Sequence, residues 1–89
     1  GGKMQPYQTT PGIQTRKAVL IFLKHVGPPL VLYVDDPDSL YNEIKTAITK
    51  ASSAAPKLIE KTGKGPLKTL AVLDTQIAGV SIQEEQHIG

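Results

Sequence analysis

The sequence predicts a small α+β domain: a mainly antiparallel five-stranded sheet with one helix packed on one face, in the order β-β-α-β-β-β. Three observations lead there. Five short apolar runs are separated by glycine, proline or polar residues. A single stretch between the second and third runs carries apolar residues at helical spacing. The chain has 89 residues, enough for one small core and too few for a second domain.

Residues 1–15 hold Gly, Pro, Thr and Gln with almost nothing to bury, which predicts a disordered tail. Met4 would be a natural start, so Gly1-Gly2-Lys3 read as an addition ahead of it. The domain itself is expected over 16–85, with 86–89 a short second tail. "KAVLIFLK" is β-branched and apolar between its lysines and predicts a strand. "HVGPP" turns the chain, because Pro28 and Pro29 have no amide to give a ladder. "LVLYV" completes a hairpin. In "DDPDSLYNEIKTAITKASSAA" the residues Leu40, Ile44, Ala47, Ile48 and Ala51 share one helical face. Asp36 is the expected N-cap, Pro37 the first helical residue and Pro56 the stop. "KLIEKT", "LKTLAVLD" and "IAGVSIQ" supply three further strands.

These strands are apolar on both sides. Ala18, Leu20 and Phe22 alternate with Val19, Ile21 and Leu23, and Leu30, Leu32 and Val34 alternate with Val31 and Tyr33. A sheet with one wet face should instead alternate apolar and polar. Four such side chains left in water would forgo roughly 1.5–3 kcal/mol each. That rivals the net stability of about 5–15 kcal/mol of a whole domain. One helix covers one face, so the other must curl over or meet another molecule. If the helix takes the opposite side, the exposed interaction surface is Val19, Ile21, Leu23, Val31 and Tyr33.

Several chemistries are argued against. The absence of cysteine removes disulfides, thiolate metal sites and a cysteine nucleophile, and fits a cytoplasmic protein. The longest apolar run, Ala18 to Leu23, is six residues, far short of the ~20 that cross a bilayer. "TGKGPLKT" has the parts of a phosphate loop, but Leu67 stands where glycine must precede the lysine and Pro66 removes an amide. The "LAVL" directly after it reads as a strand, so a hairpin turn is expected. Asp35, Asp36 and Asp38 lack calcium-loop spacing and are explained by helix capping; no metal is expected. His25 and His87 have no triad-like context, and Ser39, Ser52, Ser53 and Ser81 have ordinary structural explanations. Neither an enzyme nor a cofactor is expected.

Lys57, Lys61, Lys64 and Lys68 make the third hairpin basic, opposed in sequence only by Glu60. They are the alternative contact site, for nucleic acid or another anionic partner. Aromatic stacking platforms are scarce: Phe22, Tyr7, Tyr33 and Tyr41 are all the chain holds. Lysines that guard a sheet edge against aggregation are the preferred explanation of the cluster.

The succession "FLKHVGPPLVLYVDDPDSLYNEIKTAI", "PKLIEKT" and "KTLAVLDTQIAGVSIQ" resembles a family of small uncharacterised cyanobacterial proteins. The matching positions are Gly27, Pro29 and Leu30; Leu40, Tyr41 and Ile44; Pro56 to Glu60; and Leu70 to Leu73 with Ile77, Val80 and Ile82. The chain departs from that pattern in its long N-terminal tail and its lysine-rich hairpin. The resemblance spans residues 17–85, implies a small α+β domain, and carries no catalytic residues across. The expectation from sequence is therefore a non-enzymatic interaction module that self-associates or binds another protein, most simply as a homodimer through an apolar sheet face.

Overall fold

The computed structural model describes residues 13–88, with side chains from 15 to 86. Five strands and one helix occur in the expected order: β1 (Ile13–Leu23), β2 (Leu30–Leu32), α1 (Pro37–Lys50), β3 (Leu58–Thr62), β4 (Thr69–Leu73) and β5 (Ile77–Ile88), with a 3₁₀ turn at Asp74–Gln76 before β5. The protein is an α+β fold with antiparallel strand pairing throughout.

The five strands divide into two sheets. One is three-stranded in the order β2-β1-β5, and the other is the β3-β4 hairpin. The division arises at the 3₁₀ turn, which carries the chain away from β4 so that β5 pairs with β1 instead. The start of the helix obeys its sequence signals, but the helix ends at Lys50, well before the expected stop at Pro56. Asp36 accepts a hydrogen bond from the Ser39 amide at 3.1 Å, Pro37 opens the helix, and Ala51 ends it in extended conformation.

β2 covers only Leu30–Leu32 of the expected "LVLYV", whereas two strands run further than the sequence reading. β1 starts at Ile13 rather than near Lys17, and β5 runs to Ile88, through residues expected as tail. The reason is non-local. Register sets Lys17 opposite Glu84 and Arg16 opposite Glu85, and opposite charges facing across a ladder stabilise a segment that has little to bury. The rest of the expected N-terminal tail, residues 1–12, lies outside the described residues.

The core sits between the three-stranded sheet and a second layer made of α1 and the β3-β4 hairpin. Val19 and Ile21 of β1, Leu32 of β2, Leu40 and Ile44 of α1, Leu70 of β4 and Ile77 are all buried there. Ile59, Leu67 and Val72 of the hairpin pack against this cluster, as do Val80 and Ile82 of β5. The hairpin supplies cover that one helix lacks, but it does so on the helix's own side. Among the described residues no helix is long and apolar enough to cross a membrane.

Candidate interaction surface

Strand parity and register assign every residue of the three-stranded sheet to a face. Neighbours along a strand point to opposite sides, and residues directly opposite across a ladder point to the same side. Val19 faces Leu32 and Ile82, and Ile21 faces Leu30 and Val80; these belong to the covered side. Leu20 faces Val31 and Ser81, Phe22 faces Gly79, and Ala18 faces Gln83; these form the other side.

The assigned surface is thereby corrected. Val19 and Ile21 have no exposure at all and Leu23 packs against the core, so these three lie under the helix. Val31 and Tyr33 do belong to the open side. The residues that replace the buried three are Leu20 and Phe22. β5 decides the matter: on one parity it offers Val80 and Ile82, on the other Gly79, Ser81 and Gln83. The helix packs on the side where all three strands are apolar, and the mixed side is left.

On that open face Phe22 is 39% exposed beside the half-buried Leu20 and Val31. Its register partner, Gly79, has nothing within 4 Å of the position a Cβ would take. A protruding ring thus stands next to an open hollow on one surface. Ala18 also faces this way but has no exposure.

One end of the face carries a polar cluster. The Arg16 guanidinium lies 3.9 Å over the Tyr33 ring centre, and the Tyr33 hydroxyl donates to Glu85 Oε1 at 2.8 Å. Arg16 Nε also approaches Glu85 Oε1 at 3.4 Å. The hydroxyl of Tyr33 is held above its ordinary range, chiefly because ionisation would lose its bond to the Glu85 carboxylate; desolvation adds to this and Arg16 opposes it.

The glycine-rich loop is a turn that serves Tyr33. The Gly63 amide donates to the Lys68 carbonyl at 2.9 Å and the Lys64 amide to the Tyr33 carbonyl at 2.7 Å. Two amides that a phosphate nest would need are thus engaged. Gly65 has φ of +75°, and a Cβ there would meet Tyr33 Cδ2 at 2.7 Å. The loop needs glycine to fold onto the ring, and it leads into β4 rather than a helix.

The charged candidates are held apart. Lys61 pairs with Glu43 at 2.6 Å and Lys64 with Asp35, so acidic partners from elsewhere offset half of the lysine cluster; Lys57 and Lys68 complete it without an ion pair among the described residues. Asp36 caps the helix and Asp38 pairs with Lys17 at 3.6 Å, so the three aspartates turn to three different partners. The exposed His25 has its Nδ1 3.2 Å from the Val26 carbonyl; the side chain of His87 lies outside the described residues.

Sequence reasoning passed over Asp74, which is only 4% exposed. It lines a pocket of about 540 Å³ with Lys24, Ser53 and Thr75, between the end of α1 and the start of β5. Its carboxylate Oδ1 accepts from the Lys57 amide at 3.0 Å, while its own amide donates to the Lys57 carbonyl at 2.9 Å. This reciprocal pair fixes the open end of the β3-β4 hairpin.

No protein-family model, curated protein or solved structure matches the chain.

Proposed function

We propose that the protein is a non-enzymatic interaction module that docks a second copy of itself on the open face of the β2-β1-β5 sheet. The observation that carries this reading is Phe22, exposed beside Leu20 and Val31 and next to the hollow at Gly79. A ring and a hollow side by side are self-complementary under a two-fold axis, since each copy's ring enters the other's hollow. Burying Phe22, Leu20 and Val31 in this way recovers the hydrophobic free energy that the fold leaves in water. Binding of an anionic partner through residues 57–68 is the weaker reading, because Lys61 and Lys64 already have carboxylate partners.

The test is sedimentation over a range of concentrations for the native chain and Phe22→Asp. The native chain self-associates, and Phe22→Asp lowers the particle mass about twofold because a carboxylate is too costly to desolvate in the stack. A native chain that stays single at every concentration, or a Phe22→Asp particle of unchanged mass, refutes the reading.

A further inference from the structure

We infer that β5 is a second self-association site, at which two copies join edge to edge by antiparallel pairing of β5 with β5 into one continuous six-stranded sheet. This uses the sheet's edge rather than its open face and does not depend on the stacking proposed above.

β5 is twelve residues long and lies at the end of the β2-β1-β5 order, so its outer side has no ladder among the described residues. Natural edges of this length are usually blunted by lysine, proline or strong bulges. From Ile77 to Gln83, "IAGVSIQ", β5 holds no charge and no proline. Its one irregularity lies at the start, where register passes from Ile77 to Gly79 and skips Ala78.

Burial differs between the two strands. Val19 and Ile21 on β1 have no exposure, whereas the residues opposite them on β5, Ile82 and Val80, are only partly buried against the same core. The difference between the two strands is that β1 is flanked on both sides and β5 on one. A strand laid along β5 closes that gap.

The charge pattern sets the direction in which the second copy's β5 pairs. Parallel in-register pairing of two β5 strands would stack Glu84 on Glu84 and Glu85 on Glu85, which is unfavourable. Antiparallel pairing about a two-fold axis at Ser81 sets Val80 opposite Ile82 of the second copy, on the helix-covered side of both. It sets Gln83 opposite Gly79 and brings Glu84 to the uncharged irregular stretch at Ala78. No like charges meet, and both partly buried apolar residues of each copy are covered by the other's. Because the axis is perpendicular to the sheet, the two open faces then lie on one side and form a single platform carrying two sets of Leu20, Phe22 and Val31.

The test uses the Phe22→Asp background, so that stacking is already removed. Of the adjacent, exposed residues Gln83 and Glu84, one directs its amide to β1 and the other outward. Proline is introduced at each, and the variant that keeps its circular-dichroism melt is the outward one. The inference expects Phe22→Asp to sediment as two copies, and expects amides on alternate residues from Gly79 to Gln83 to exchange at least tenfold more slowly above the dissociation concentration than below it. Adding the tolerated proline returns the particle to one copy. A single-copy Phe22→Asp chain with concentration-independent exchange overturns the inference, as does a two-copy particle that the proline leaves intact. If instead the native and Phe22→Asp masses are equal while the proline variant falls to one copy, the edge stands and the stacking fails.

Discussion

The two faces of the β2-β1-β5 sheet come from the same strands and differ in what lies against them. Beneath α1 and the hairpin, Val19, Ile21, Leu32 and Ile77 are buried together with Leu40 and Ile44. On the other side the same two strands, β1 and β2, present the exposed Phe22 and the half-buried Leu20 and Val31. β1 is equally apolar on both parities, so β1 alone does not choose its inner face. β5 does, by alternating Val80 and Ile82 with Gly79, Ser81 and Gln83. The surplus apolar residues of β1 and β2 then become a surface rather than a core.

This asymmetry predicts the largest difference between neighbours. Ile21→Ala should cost about 2–5 kcal/mol in denaturant unfolding, because it removes a fully buried side chain and leaves a cavity. Phe22→Ala, one residue on, should cost the single chain under half as much while weakening self-association; equal costs would mean that both faces are cores.

Gly65→Ala comes next, at about 2 kcal/mol. The new methyl meets the Tyr33 ring and the backbone sits at positive φ. Combining it with Tyr33→Ala should return part of that loss in a double-mutant cycle, whereas strict additivity would show that the ring is not the obstacle. Asp36→Ala should cost about 1 kcal/mol by removing the hydrogen bond to the Ser39 amide, read from the shift in melting temperature.

The smallest effect is a pH dependence. Because the folded state raises the Tyr33 hydroxyl above its unfolded value of 10.0, the associated stability is fully present below that pH and is lost as pH rises through the folded value. Tyr33→Phe should therefore show a shallower fall in stability than the native chain in that alkaline range. Parallel curves would remove the Glu85 hydrogen bond as the cause.

Local features of the sequence revealed the elements, and distant pairings completed them. The helix was legible because Asp36, Pro37 and the Leu40–Ile44–Ile48 stripe all lie within a few turns of one another. The glycine loop was legible as a turn because Leu67 and Pro66 contradict a phosphate loop at the positions that matter. The inner face of β1 was not legible, since it depends on β5, more than fifty residues along the chain. Read with that pairing, the alternation in "GVSIQ" identifies Leu20 and Phe22 as the open residues. The polar ends of β1 and β5 were hidden for the same reason: Thr15 and Gln86 look like tail until they stand opposite each other. The division into two sheets likewise depends on the 3₁₀ turn at Asp74, whose buried carboxylate holds Lys57 across the hairpin's open end.

An isotope-filtered NOE experiment on a mixture of labelled and unlabelled chain addresses the open face itself. Stacking predicts cross-peaks between the Phe22 ring of one copy and Gly79 or Leu20 of the other, lost in Phe22→Asp. A native sample that gives no such cross-peak at high concentration, with the Phe22 ring in water, contradicts it.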